Sequence, residues 1–384
     1  MNNSKKVLIF SHAYFPNWVG GAEIALKEIT DQIPSGEIEF HLVTLGAGES
    51  DEKIGNINIH RVRPFGFLTY NKFLHKIAKY LFIFQAYLKA KKLHKKHGFN
   101  TIWSLMASYG GFSALFFKRK YKDTKFVLTL QEGDPIEYIL KRLGIFKSFY
   151  RSIFKNADVV SVISTYLGKF AKDMGFKGEP IVVPNGVDVK HFSKEISQIE
   201  RENIRQNFGF KNEDTVLVTA SRLVRKNGVE DIISALKYLP ESCKLLVVGV
   251  GELEGKLKDQ SKNLGLEDRV KFAGFVAHTD LPKYLKSSDV FVRPSLSEGL
   301  GNSFLEAMAA GLPTVATPVG GIPDFLTHEE TGLFCQVQNP ESIATQVKRL
   351  KDENLKSLLI ANAFKMVEQK YTWEKIAEEM KGIL

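Results

Sequence analysis

The stretch Asp289–Thr317, "DVFVRPSLSEGLGNSFLEAMAAGLPTVAT", decides how the chain folds. "DVFVRPS" reads as a β-branched strand, "LSEGLGN" as a glycine-bearing loop, and "SFLEAMAA" as a short helix closed by Gly311 with Pro313 just beyond. "PTVAT" then opens a second strand. Strand, loop, helix and strand in this order make a βα unit of a parallel sheet.

The same rhythm runs along the whole chain. "KVLIFS", "FHLVTL", "TIWSLM", "KFVLTL" and "DVVSVIS" precede "TVLVTAS", "KLLVVG" and "VKFAGF", with amphipathic segments between them. The expected fold is α/β, with two doubly wound parallel-sheet, Rossmann-like domains over residues 1–185 and 186–370, because 384 residues exceed one core of usual size. They join near "VVPNGVDVKHF", where Pro184-Asn185-Gly186 reads as a hinge. Ligands of such sheets bind at the carboxyl ends of strands, so a cleft between facing domains is where chemistry is expected. Residues 371–384, "YTWEKIAEEMKGIL", predict a helix with Trp373, Ile376, Ala377 and Met380 on one face, closing the second domain or crossing back to the first.

Hydrophobic residues at 44 % and charged residues at 25 % describe an ordinary globular protein. Cys243 and Cys335 lie far apart without metal-ligand spacing and read as buried thiols of a reducing compartment, which makes the cytoplasm the expected location. Lys5-Lys6 followed by "VLIF" reads as a first strand rather than a leader. No apolar run reaches the ~20 residues that a membrane span needs.

Charge is uneven: residues 1–185 hold 27 Lys+Arg against 15 Asp+Glu, and residues 186–384 hold 26 against 28. A basic first half suits nucleic acid, an anionic membrane or a phosphate-bearing substrate. No aromatic-basic motif of an RNA or DNA reader is present, so nucleic acid is not an expected partner. From Tyr70 to His97 eight lysines stand without one acid, and Phe73, Ile77, Leu81, Phe84 and Leu88 fall near helical spacing. This is a core-facing helix with a solvated basic face, or one that lies in an anionic membrane surface at the inner face of the membrane, with Lys89, Lys91, Lys92, Lys95 and Lys96 on lipid phosphates.

A helix that starts at a glycine loop turns its free N–H groups and positive dipole end toward the loop's ligand, which favours a phosphate or diphosphate. Gly299 and Gly301 allow that approach without a Cβ. Ser303-Phe304-Leu305-Glu306 also has the form of a capping box, whereas Glu298, ahead of the glycines, has no capping duty and suits ligand contact. Arg222, at the end of the second half's first strand, and Lys226 in the polar loop after it are candidate clamps for a departing diphosphate. "VGGAE" places Gly20 and Gly21 between the first strand and a helix start. "VLTLQEGDP" sets Gln131, Glu132 and Asp134 at a strand end, to orient a sugar or acceptor or simply to form a loop. "VGVGELEG" lacks the dinucleotide spacing, and no D-x-D occurs that would bridge a metal to a diphosphate.

Glutamate, seven residues and glutamate, followed by "AMAAGLPTVATPVGGIPD", resembles the signature of the large family four of retaining, nucleotide-sugar-dependent GT-B glycosyltransferases. "VGGAE", "VVPNGVD", "ASRLVRKNGVEDIISAL", "LLVVGVGELEGKLKD" and "VKFAGFV" extend the resemblance over the whole chain. The resemblance implies that Glu298 holds donor-sugar hydroxyls and Glu306 the ribose. The amides of Leu300, Gly301, Asn302 and Ser303 would face sugar and diphosphate, and Phe275 and Val276 the base. It gives Arg222 the phosphate role, with a lysine usually five residues later where this chain has Asn227, so Lys226 takes that place and Arg225 is the outsider. Gly20 and Gly21 would close over the diphosphate from the opposite domain. Gln131 stands where many relatives carry histidine, and a glutamine does not titrate near neutrality, which suits a front-face reaction in which the leaving phosphate takes the acceptor's proton. The expected enzyme uses a UDP-sugar or GDP-sugar, a lipid-linked or glycan acceptor, no cofactor and no metal. A GT-B epimerase or phosphorylase is the alternative within the same architecture.

Overall fold

Aliphatic and β-branched runs buried on both faces make the strands, as a parallel sheet between helix layers requires. The computed structural model describes residues 4–16, 20–46, 52–63 and 72–384, with the side chains of 72–76 and 145 excepted. Val19 of "VGGAE", Tyr70, Asn71 and the side chain of Phe73 lie outside the described residues.

The chain divides into two compact units, Met1–Asn185 with Trp373–Leu384, and Gly186–Thr372. In the first, the strands are β1 (Lys5–Phe10), β2 (Ile38–Leu45), β3 (Glu52–Ile54), β4 (Ile57–Val62), β5 (Thr101–Leu105), β6 (Lys125–Leu130), β7 (Val159–Val162) and β8 (Ile181–Val182). The helices are α1 (Gly21–Gln32), α2 (Lys72–His97), α3 (Tyr109–Lys120), α4 (Ile136–Leu143), α5 (Lys147–Asn156) and α6 (Thr165–Asp173). The sheet order is β3-β4-β2-β1-β5-β6-β7-β8, parallel except for the β3 edge.

In the second unit, helices α7 (Val189–Ser193) and α8 (Gln198–Asn207) precede β9 (Thr215–Ala220), α9 (Val229–Ala235), β10 (Cys243–Val248), α10 (Glu254–Asn263) and β11 (Val270–Gly274). Then come α11 (Leu281–Lys286), β12 (Val290–Arg293), α12 (Asn302–Ala309), β13 (Thr314–Ala316), β14 (Leu333–Phe334), α13 (Pro340–Arg349) and α14 (Glu353–Lys370). The order β11-β10-β9-β12-β13-β14 is parallel throughout.

The last helix, α15 (Trp373–Ile383), belongs to the first unit. Trp373, Ile376, Ala377 and Met380 sit in one buried cluster with Leu26 and Ile29 of α1 and Val7 of β1.

Helix α2 orients differently from the sequence expectation of a core-facing apolar row. It buries Ala78, Phe82, Ala86, Ala90 and Leu93, an alanine-rich row anchored by Phe82 and Leu93. Leu81, Phe84 and Leu88 are instead exposed, Phe84 by 61 %. At 100° per residue, Lys92 and Lys95 continue that exposed stripe, so apolar and cationic groups follow one another along a single face. On the sheet below α2, His41 of β2 and His60 of β4 are buried, and burial pushes the His41 imidazole down to about 4.

Candidate active site

The second sheet reverses its winding between β9 and β12, and the carboxyl ends of strands at such a switch point form a natural ligand crevice. Arg222 lies two residues past β9, exposed; the segment from Pro294 to Gly301 leaves β12. The hydroxyls of Ser221 and Ser295, at these two strand ends, are buried without a hydrogen-bond partner among the described residues.

Arg293, the last residue of β12, ties the crevice together. Its guanidinium is buried and donates from Nη1 to Ser303 Oγ at 2.8 Å and from Nη2 to Asn227 Oδ1 at 3.0 Å. Nη2 also pairs with Glu298 Oε2, and the guanidinium lies 5.2 Å from the Phe304 ring centre. Asn227 Nδ2 in turn donates to the Arg222 carbonyl at 2.6 Å, and Leu296 N donates to the Lys226 carbonyl at 2.7 Å. One hydrogen-bonded chain therefore connects the loops that carry Arg222, Lys226, Glu298 and Ser303.

Glu298 is buried, its Oε1 accepting from Gly299 N at 3.1 Å and its carbonyl from Gly321 N at 3.2 Å. At Gly320, with φ of 57°, a Cβ would come within 1.9 Å of the Glu298 carbonyl oxygen, so the second glycine pair is what lets its loop seat on the Glu298 peptide.

The capping-box reading of Ser303 and Glu306 is corrected. Helix α12 starts at Asn302 with Gly301 as N-cap at φ 91°, no side chain caps it, and Ser303 lies inside the first turn with its hydroxyl engaged by Arg293. Glu306, freed from that duty, lies 3.0 Å from His278 Nε2 through Oε1. Leu300 is buried, while Gly301, Asn302 and Ser303 are half-buried. Phe275 and Val276 follow β11; Phe275 is 77 % exposed, and both line an open pocket of about 350 Å³ with Glu200, Ile204, Lys283 and Tyr284. Neither Glu298, Glu306 nor Arg222 is among the residues lining that pocket.

On the first unit, Gln131 follows β6 and accepts at Oε1 from Asn185 Nδ2 at 3.4 Å. Glu132 beside it has an enclosed carboxyl: Oε1 accepts from Ala107 N at 3.4 Å, and Oε2 has no partner among the described residues. Burial pushes this carboxyl up to about 7, against the pull of the backbone N–H groups near it. Gly20 is the N-cap of α1, and its amide donates to Glu23 Oε2 at 2.8 Å, so a protein carboxylate already occupies that helix start; Gly21 is the first helical residue and is exposed.

Two family models cover the chain nearly end to end: Glycosyltransferase Family 4 over residues 19–191 and Glycosyl transferases group 1 over residues 200–366. The chain belongs to glycosyltransferase family 4. It is 29 % identical to an uncharacterized glycosyltransferase, MJ1607, of Methanocaldococcus jannaschii, over 97 % of this chain and 96 % of that one. It is 27 % identical to the GDP-mannose-dependent α-(1-6)-phosphatidylinositol monomannoside mannosyltransferase of Mycobacterium tuberculosis, over 77 % and 78 %. The fold is GT-B, like that of Anabaena HepE solved with UDP and glucose, with a TM-score of 0.79 at 20 % identity over 99 % of both chains.

In this glycosyltransferase the position after Lys226 is structural: Asn227 is buried and fully engaged between Arg222 and Arg293. Sequence reasoning passed over Arg293, although a charge closing an otherwise apolar buried strand was the available signal.

The Glu132 carboxyl makes stability pH-dependent. Between about 4.5 and 7 the folded state keeps its proton while the unfolded chain has released it, so stability falls as pH rises through that window. Glu132→Gln should flatten the decline and exceed the parent above pH 7 by up to about 3 kcal/mol. Trp103 and Trp373 belong to the first unit and residues 186–372 contain no tryptophan, so fluorescence-detected urea unfolding reads the first unit directly. Parallel pH profiles for the two proteins would contradict this assignment.

Proposed function

We propose that the enzyme transfers a hexosyl group from a UDP-sugar or GDP-sugar to a lipid-linked or glycan acceptor, with retention and without a divalent metal. The observation that carries the reading is the Arg293-anchored loop, which holds the Glu298 carboxylate just ahead of the start of α12, a helix start that no side chain caps. Helix-start amides and Arg222 and Lys226 suit a diphosphate whose charge grows as the sugar leaves. In this reading the C1–O bond to phosphate breaks, the acceptor oxygen bonds C1 on the same face, and the departing phosphate oxygen takes the acceptor's proton. Gln131 then needs only to orient a hydroxyl. Glu298 holds sugar hydroxyls, and Glu306 exchanges or shares its His278 contact with the ribose. Phe275 and Val276 meet the base. Gly20 and Gly21 serve close approach to the donor, with the Gly20 amide already engaged by Glu23. The metal-free proposal rests on the absence of a D-x-D pair in the sequence.

A membrane-linked acceptor is supported by helix α2. Tyr80, Leu81, Phe84 and Leu88 are exposed on it, Lys92 and Lys95 extend the stripe, and among the described residues no helix is long and apolar enough to cross a bilayer. Such a face suits anionic lipid, where each cation adds about 1 kcal/mol. The phosphatidylinositol mannoside acceptor in the mycobacterial relative's name points the same way.

Calorimetric, kinetic and vesicle-partitioning measurements test these proposals. A panel of UDP, GDP, ADP and their sugars identifies the nucleotide by calorimetry, and Glu298→Gln should then lose roughly 100-fold or more in turnover while nucleotide affinity holds. Equal loss of both would contradict the division of roles, and activity abolished by EDTA but restored by magnesium or manganese would contradict the metal-free step. In vesicle sedimentation the parent should bind anionic but not neutral vesicles and be released as salt screens its charges, with Lys92, Lys95 and Lys96 all changed to Glu partitioning poorly. Equal partitioning of parent and variant would remove the membrane reading.

A further inference from the structure

Away from the strand ends, one cluster on the first unit brings metal-ligating atoms together. Glu39 and His41 stand two apart on β2 and so point to the same face of the sheet. His97 closes α2, which packs across that face. One ligand atom from each of Glu39, His41 and His97 lies within 4.8 Å of the others. His41 Nε2 is 2.8 Å from Glu39 Oε1, and the His41 and His97 ring centres are 4.4 Å apart. Phe99 packs against both imidazoles, at 5.1 Å and 5.9 Å, and walls the cluster.

We propose that Glu39, His41 and His97 form a zinc site that fastens the end of α2 to the sheet. Two imidazoles and a carboxylate are the ligand set of a tetrahedral zinc with water in the fourth position, and they disfavour magnesium and calcium, which take oxygen ligands. Bond lengths of 2.0–2.1 Å place tetrahedral ligand atoms about 3.3 Å apart. The Glu39–His41 pair opens slightly to reach that separation, and His97 moves inward.

The supporting shell is in place. His41 Nδ1 lies 2.9 Å from His60 Nε2, a contact that fixes the ring orientation and directs Nε2 at the ion. Lys6 Nζ lies 3.7 Å from Glu39 Oε2 and leaves Oε1 toward the histidine. His94 is engaged separately, accepting from Phe99 N at Nδ1 over 3.1 Å, and so holds Phe99 against the site. None of these residues takes part in the proposed transfer.

The test uses the full chain, stripped with EDTA, dialysed, and titrated with zinc chloride by calorimetry in competition with a chromophoric chelator. One equivalent should bind with a Kd of about 1 µM or tighter, and magnesium should not compete. His97→Gln, a half-buried position that leaves the core intact, should weaken zinc about 100-fold while keeping the parent's circular dichroism and nucleotide binding. His328→Gln, on the second unit, should leave zinc binding unchanged. Cobalt loaded in place of zinc should give the intense visible bands of a tetrahedral site, lost in His97→Gln. Zinc uptake absent at 10-fold higher concentration, or unchanged in His97→Gln, would overturn the proposal.

Discussion

A guanidinium buried at the end of β12 is the constraint on which the site of the second unit depends. Removing a charge from water costs several kcal/mol and is tolerated only with close partners. Arg293 finds them in Asn227 of the segment after β9, Glu298 of the loop after β12, and Ser303 in the first turn of α12. Its demand for partners therefore fixes the geometry of the crevice. Asn227 carries the constraint to the Arg222 carbonyl, and Glu298 carries it to the glycine loop at Gly320 and Gly321. The loop at the start of α12 is held rigid by interior electrostatics, so its amides need no reorganisation when an anion arrives.

The two units handle a buried carboxyl in opposite ways. Glu298 faces a guanidinium and is locked as one half of an ion pair. Glu132 has no cation paired with it among the described residues; a backbone amide donates to it, and burial raises it to about 7. The first arrangement suits a fixed hydrogen-bond acceptor. The second is a group whose proton is exchangeable near neutrality, next to the non-titrating Gln131.

Most of the fold was legible because strands buried on both faces must be continuous apolar runs, as in "KVLIFS" and "KLLVVG". The short edges β3, β8 and β14 were not, since two or three residues carry no periodicity. On α2 the periodicity was real and left two neighbours open, the core or a membrane surface; the exposure of Leu81, Phe84 and Leu88 goes against the first, because spacing locates an apolar stripe without saying what covers it. At the site, glycine loops and the two glutamates were readable locally. The Arg293–Asn227 contact joins residues 66 apart, and the capping-box pattern at Ser303 lost to the left-handed Gly301, which starts the helix two residues earlier than that pattern requires. The Glu39, His41 and His97 grouping likewise exists only after the helix has folded back on its sheet.

The most direct test of the central claim is a double-mutant cycle on Arg293→Met and Glu298→Gln, read from hydrogen exchange of the slowest amides in β12 and α12. Arg293→Met alone leaves a buried carboxylate unpaired and should lower their protection by about 3–5 kcal/mol. With both substitutions the loss should be smaller than the sum of the single losses by more than about 1.5 kcal/mol, as expected for groups in direct contact. Losses that add to within about 0.5 kcal/mol would contradict the role given to Arg293.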